Sequence, residues 1–439
     1  MKIKKKIRDK EADKIKVNFS GGRLTNYSGI LPLFKFMKKL RFFGMLEENV
    51  SIPMGSNALY SNGQILSSII LGVFSGLNRI CKIETFSRDP LVQKLLKLPK
   101  HIDEDTIIWR LKQFGFRQSN ELSEVSGGFS KKVHRRLRTR EDMIDLDSTV
   151  RGVYGNQEGA SKGFNPNKHG QKSYHPLMAF LNSTRECLLS WLRPGDVHTS
   201  HNALEFLKQL FAMLPDGLRR LTLRADSGFF SDKILSLIES FGYYYLIKVK
   251  LKNLNQFLCS KEWEAIAGMH GWFMCEFEHI GTGWSAPRRF VALKRLRGIQ
   301  TEGVLFPMFD YEYFCYVTNI QQSPLYLHSL YGDRGESENW IEAVKNQLFA
   351  GWLLTDSFWA NEALWQCSVL AYNLSLWMRI LTEPKSWHEE PNTFRLWFVQ
   401  LAGRLVTSAR QAELKLYNAY HHKRKWLKIN HAVEALQLC

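Results

Sequence analysis

The sequence predicts an α/β protein, with a mixed β-sheet that carries helices on its surface, a helical region before it and a β-rich segment inserted into it. Three observations carry this reading. From residue 141 the chain alternates apolar and polar residues at period two, then at helical period, in the order β-β-β-α-β-α-β, which implies a mixed sheet with helices packed on it. Residues 62–115 keep apolar residues at helical spacing between the breaks at Gly76, Pro99 and Gly115. Between 251 and 310 the rhythm breaks into short aromatic, strand-forming pieces.

In chain order, Asn62 stands where it can cap a helix through QILSSIILGVFSGL. KIETFSRDPLVQKLLKL and DEDTIIWRLKQFG follow as further short helices, the last stopping at Gly115. Tight turns and many cations here suit a helix-turn-helix-like DNA-binding module; a purely structural helical cap fits the pattern equally well. In EDMIDLDSTV, Ile144 and Leu146 share one side of a strand, Asp145 and Asp147 the other. After a Gly/Asn/Lys-rich loop, PLMAFLNSTRECLLSWLRPG reads as a hairpin around Asn182–Arg185. HNALEFLKQLFAML is a helix. RRLTLRADSGFF is a strand with Leu221, Leu223 and Ala225 facing one way, and a helix, SDKILSLIESF, and a strand, YYYLIKVK, complete the order. YEYFCYVTNI resembles another strand, and the tail beyond about 352 reads as helical.

With 439 residues the chain should divide into more than one domain. The expected divisions are 1–138, a mostly helical DNA-binding region; 139–380, the sheet domain with its β-rich insertion at 251–310; and 381–439, a basic helical region for dimerisation or DNA contact. A hydrophobic content of 44% excludes a disordered chain. Lys and Arg total 60 against 42 acids, for a net charge of +18, so polyanions lead the possible partners, with nucleic acid first. The cations also cluster, in MKIKKKIRDK, KKVHRRLRTR and HHKRKW. Seven scattered cysteines with no CxxC argue against structural zinc and a disulfide framework. The initial MKIKKK leads into no apolar signal region, and the longest apolar run is too short to span a bilayer, so a soluble cytoplasmic protein is expected.

The segment YGDRGESENWIEAVKNQL brings polar groups to one helical face. At 100° per residue Tyr331, Arg334, Glu338 and Lys345 fall within about 60° of one another, while Trp340, Ile341, Val344 and Leu348 occupy an apolar arc. Alone this is an amphipathic helix with an Arg334–Glu338 surface pair, and spacing does not choose between Glu338 and Glu342. Asp147 and Asp226, however, each end a predicted strand. Each could simply form a turn before Ser-Thr or Ser-Gly. Two strand-end aspartates and a helix glutamate can also converge on hard cations such as Mg²⁺ or Mn²⁺, and two such ions can drive phosphodiester displacement.

These residues resemble a known family. Tyr331, Arg334, Glu338 and Lys345 match the Y-x2-R-x3-E-x6-K signature of a group of DDE transposases of bacterial insertion sequences, and IDLDSTV and LRADSGFF resemble that group's two aspartate motifs. The resemblance covers roughly residues 60 to 380. It implies an RNase H-like catalytic fold with Asp147, Asp226 and Glu338 as the catalytic metal ligands, choosing Asp147 over Asp145 and Glu338 over Glu342. It implies two Mg²⁺ or Mn²⁺ ions and cleavage at the inverted-repeat ends of an element. The freed 3′-OH would then attack target DNA, with the enzyme a homodimer in a synaptic complex in the bacterial nucleoid. Tyr331, Arg334 and Lys345 would contact phosphates. Trp284 or Trp272 would stack a flipped base, and Lys172, with His175, follows the Gly-rich loop where it could touch DNA. A catalytically silent DNA-binding descendant and a nuclease or resolvase on the same fold are the other readings.

Overall fold

A computed structural model of the chain describes residues 15–163, 168–198, 201–300, 308–385, 387–408 and 411–438. The basic run at residues 1–10 lies outside them. The core is a nine-stranded sheet. Its strands, in chain order, are β1 (Glu141–Ser148), β2 (Leu177–Leu181), β3 (Cys187–Trp191), β4 (Arg220–Ala225), β5 (Tyr244–Lys248), β6 (Glu264–Ala265), β7 (Trp272–His279), β8 (Arg288–Gln300) and β9 (Met308–Thr318). Across the sheet they run β6-β7-β8-β9-β5-β4-β1-β2-β3. β1, β4 and β5 are parallel, while β2 pairs antiparallel with β1 and β3 antiparallel with β2. This is the mixed sheet with helices packed on it that the strand order in the sequence implied.

Period-two alternation sets the register. Ile144 and Leu146 of β1 and Leu221, Leu223 and Ala225 of β4 are all fully buried on one face, against helices α3 (Ala203–Met213) and α4 (Asp232–Ser240). The opposite face carries Met178 and Phe180 of β2 and packs on a second core. That core is built by α1 (Asn62–Ser75), α2 (Phe116–Leu137), the 25-residue α5 (Phe358–Thr382) and α6 (Lys423–Ala435). The helices expected at the two ends of the chain therefore share one hydrophobic core with the sheet. Nearly all of α5 is buried, as a helix apolar around its whole circumference should be.

Several local expectations change. Ser61, not Asn62, caps α1, and with Gln64 it closes a capping box; Asn62 is buried and donates from Nδ2 to the Ile52 carbonyl. Gly76 ends α1 at φ 105°, a conformation that favours glycine. The next helix, Ile80–Ser87, leaves at 102° to α1, within the range of a helix-turn-helix corner. Gly115 does not end a helix but precedes α2, because the previous one already stops at Leu111. The inserted segment is β-rich as expected, and because β9 pairs antiparallel with β5, β6 to β9 extend the main sheet. The tail is not purely helical, since Gly403–Ser408 and Gln411–Leu416 form a hairpin that Leu24–Thr25 joins as a third strand. Among the described residues no single helix is long and apolar enough to cross a membrane, and α1, the apolar run noted in the sequence, is buried in the core.

Candidate active site

β1 and β4 lie side by side and parallel, with Leu146 opposite Ala225. The residues that follow, Asp147 and Asp226, therefore emerge at the same end of neighbouring strands, which lie about 4.8 Å apart. Asp226 is held by its turn: its Oδ1 accepts from the Gly228 amide at 2.8 Å, at the start of a short 3₁₀ turn over Ser227–Phe229. Asp147 meets Arg334, whose Nη2 lies 2.9 Å from its Oδ2. The same nitrogen donates to the Leu146 carbonyl at 3.2 Å.

The signature segment is not one uniform helix. It runs as α-helix Pro324–Gly332, a 3₁₀ turn Asp333–Gly335, α-helix Glu336–Glu342 and a π turn Ala343–Gln347. Its apolar face behaves as its spacing implied: Trp340, Ile341, Val344 and Leu348 are buried, with Trp340 against Phe180 of β2. That packing points the opposite face at the ends of β1 and β4. Tyr331 packs on Tyr316 in a tilted contact, ring centroids 4.7 Å apart, and faces the Arg334 guanidinium at 5.9 Å. Glu338 is exposed.

The electrostatics tie these groups together. Burial, aided by the Asp226 and Glu338 charges and opposed by Arg334, pushes the Asp147 carboxyl up to about 6. Burial and the Asp226, Asp147 and Asp145 charges push the Tyr331 phenol up to about 12 against the pull of Arg334. Burial works against the Arg334 charge, yet Asp147, Tyr331 and Asp226 hold it above the usual arginine value. Lys345 is pulled below its ordinary range by burial and by Arg151, against the pull of Glu342.

Asp145 and Glu342, the alternatives that the sequence left open, each have partners of their own. Asp145 and Arg224 are both fully buried and form a two-point ion pair, 2.7 Å from Nε and 2.8 Å from Nη2; Arg224 Nη1 donates to the Leu330 carbonyl at 2.6 Å. Asp145 is thus committed inside the fold, whereas Asp147 lies partly buried at the strand end beside Arg334. Glu342 accepts from Asn346 and Gln347, each at 3.2 Å, while the charge of Glu338 is felt at Asp147.

Other candidates are placed differently. Lys345 Nζ donates to Thr149 Oγ1 at 3.0 Å and to the Val150 carbonyl at 2.8 Å, so it ties down the chain leaving Asp147. Lys172 donates to Asn156 Oδ1 at 2.8 Å on a small separate sheet. His175 is buried, with Nδ1 2.8 Å from the Val197 carbonyl oxygen. Trp284 is half-buried between Phe230 and Phe290, with the Arg288 guanidinium 5.1 Å from its ring, and Trp272 stacks on Phe314. The open tryptophan near the signature segment is Trp352, 62% exposed, a residue the sequence reading passed over. It follows Gly351, whose amide donates to the Lys345 carbonyl at 2.9 Å. Nothing in its spacing distinguishes it from the buried tryptophans.

Carboxylate oxygens are the donors that Mg²⁺ and Mn²⁺ take, and a divalent cation would offset both the burial that chiefly raises Asp147 and the smaller repulsion from Asp226 and Glu338. The donor set therefore fits such an ion in kind, although the three carboxylates do not close into a cage. Among the described residues, the trio whose ligand atoms lie within 4.8 Å of one another is Glu84, His101 and Asp103, far along the chain in the N-terminal helices. There Glu84 is already engaged by Arg88 at 2.8 Å and by the Glu104 amide at 3.1 Å.

Two aspartates at adjacent strand ends of a mixed sheet, with a glutamate on a flanking helix, are the arrangement that the sequence motifs led one to expect of a DDE transposase. The sequence matches the model of the family described as Transposase DDE domain group 1 over residues 7–438, and the chain belongs to that family. It is a DNA transposase by family. Among solved structures it is similar to the piggyBac transposase synaptic complex with hairpin DNA, at 10% identity and a TM-score of 0.44 over 85% of this chain and 79% of that one. It is also similar to the Mos1 transposase paired-end complex with the left transposon end, at 8% identity and a TM-score of 0.18 over 44% of this chain and 60% of that one. No curated protein matches it significantly.

Proposed function

We propose that the protein excises and reinserts its own element, binding the terminal inverted repeats, hydrolysing the DNA at their ends and joining the freed 3′-OH to target DNA as a homodimer in a synaptic complex. The observation that carries this is the meeting of Asp147 and Asp226 at the ends of parallel strands with Glu338 on the helix across from them. These three carboxylates would hold one or two Mg²⁺ or Mn²⁺ ions. Such ions, when bound, acidify a water or hydroxyl and stabilise the leaving oxygen.

The chain's own groups do the rest. Asp226 is oriented by the Gly228 amide and Asp147 by its own neighbour, the Ser148 amide at 2.8 Å. Lys345 fixes the segment that follows Asp147, keeping that carboxylate at the strand end. Arg334, charged and beside Asp147, is placed to take a phosphate oxygen next to the scissile bond. Tyr331 keeps its proton at neutral pH and is a hydrogen-bond donor to the same phosphate. Trp352 offers the open aromatic face for an unstacked base that Trp284, packed on Phe230, does not. Lys172 would add a backbone contact from the small sheet.

The test uses purified protein, Mg²⁺, a duplex ending in the element's inverted repeat, and a plasmid target. The reading expects repeat-specific cleavage followed by joining to the plasmid. Cleavage without joining and without preference for the repeat would make it a nuclease or resolvase, and binding without cleavage a silent descendant.

A further inference from the structure

The strands that carry the catalytic aspartates at one end begin, at the other, in a cationic surface. Arg140 immediately precedes β1, and Arg219 immediately precedes β4. The amides of Arg219 and Arg220 both donate to the Arg140 carbonyl, at 2.7 and 3.2 Å, which holds these arginines side by side. Just upstream, Arg135, Arg136 and Arg138 are exposed at the end of α2. Two segments about 80 residues apart in sequence, 135–140 and 219–220, thus bring their cations to one end of the sheet.

Few acids answer them. Asp216 pairs with Arg135 at 2.7 Å and Glu141 with Arg220 at 3.3 Å. Arg136, Arg138, Arg140 and Arg219 have no ion pair among the described residues. Beside them, Lys132, Arg135 and Arg136 line a groove of about 670 Å³ whose other wall is Ala432, Ala435 and Leu436 at the end of the chain. Burial first, then the neighbouring charges of Arg41 and Arg135, pull Lys132 below the usual lysine range. Crowding of like charge costs stability unless a polyanion occupies the surface.

We propose that this surface binds the phosphate backbone of the duplex inward from the end being cut. The proposal rests on reading the Asp147, Asp226 and Glu338 face as the cutting centre. β1 fixes the spacing, since the six steps from Glu141 to Asp147 at about 3.3 Å each separate the two places by roughly 20 Å. At 3.4 Å per base pair, a duplex passing outside the sheet needs at least about six base pairs to cover that separation. Contacts there carry no sequence information. They set the register of the end on the enzyme and strengthen its hold while the end is cut.

The experiment compares wild type with Arg136→Gln/Arg140→Gln/Arg219→Gln and with the same three positions changed to Lys, in chelator, on two substrates. One is a long inverted-repeat end. The other is the same end closed by a hairpin five base pairs inward of the cleavage point, with the outer flank kept. The three positions avoid the ion-paired arginines and Arg138, which ends α2 at φ 57°. On the long end the Gln variant is expected to bind at least about tenfold more weakly near physiological salt, and its log affinity against log salt slope to shrink by about 2 to 3 units. The Lys variant keeps the slope, and on the truncated end all three proteins bind alike. Unchanged affinity and slope on the long end would overturn the proposal. So would an equal loss on both substrates, or a defect confined to capture of the target duplex. Failure of wild type to cleave the long end in Mg²⁺ would count against the cutting centre and leave the binding comparison standing.

Discussion

Replacing Arg224 by Met should destabilise the fold strongly, and the reason lies beside the strand end that carries Asp147. Arg224 and Asp145 are fully buried and bonded at 2.7 and 2.8 Å, and burial raises the Asp145 carboxyl even with its partner in place. Without Arg224, Asp145 keeps only a 3.5 Å contact from Asn182 Nδ2. Removing one partner of such a pair costs about 3–5 kcal/mol, because a charge or unsatisfied carboxyl stays in the core, whereas replacing both by apolar side chains is often neutral or better. Arg224 also holds the Leu330 carbonyl at 2.6 Å, one residue before Tyr331, so the loss should loosen the entry to the signature segment. Urea unfolding followed by tryptophan fluorescence and circular dichroism would compare wild type, Arg224→Met, and Asp145→Leu/Arg224→Met. The single change should lose about 3–5 kcal/mol and the double change recover most of it. A single variant within about 1 kcal/mol of wild type, or a double variant as unstable as the single, would refute the reasoning.

Further outcomes follow from the same geometry. Asp147 titrates near 6 in the fold, above its unfolded value of about 3.9, so its ionised form is disfavoured there. Its contribution to stability is therefore greatest at low pH, falls as pH rises from about 4 to 6, and stays lost above; Asp147→Asn should raise stability by up to about 3 kcal/mol at pH 8 and little at pH 4, as denaturation at the two pH values would show. For the same reason the Mg²⁺ concentration needed for half-maximal cleavage should climb as pH drops below 6, which a metal titration at pH 5.5 and 7.5 would reveal. Lys345→Met frees Thr149 and Val150 and should lower the cleavage rate about 10–100-fold with end affinity nearly kept, measured by single-turnover cleavage beside a binding titration. Trp352→Ala should weaken capture of an end with an unpaired nucleotide at the cut by about 1–3 kcal/mol and leave a fully paired end unaffected.

The alternating strands were legible because the period of two leaves one face to bury: Ile144, Leu146, Leu221 and Leu223 all lie in the core as their spacing implied. The apolar arc of the signature segment was legible for the same kind of reason. Its breaks into 3₁₀ and π turns were not, since averaging at 100° per residue hides a local change of pitch. Asp145 and Asp147 share a strand face, so alternation cannot separate them; the partner that does, Arg224, is 79 residues away. The C-terminal hairpin escaped notice because its second strand, QAELKL, is largely exposed and carries little apolar signal. Trp284, Trp272 and Trp352 look alike in sequence, and only packing decides which ring is open.

The central claim is that Glu338, and not its neighbour Glu342, completes the site with Asp147 and Asp226. The direct measurement is single-turnover cleavage of an inverted-repeat end in Mg²⁺ by Glu338→Gln and Glu342→Gln. The account predicts a loss of more than about 100-fold for the first and near wild-type cleavage for the second. Cleavage retained by Glu338→Gln, or abolished by Glu342→Gln in a folded protein, would contradict it.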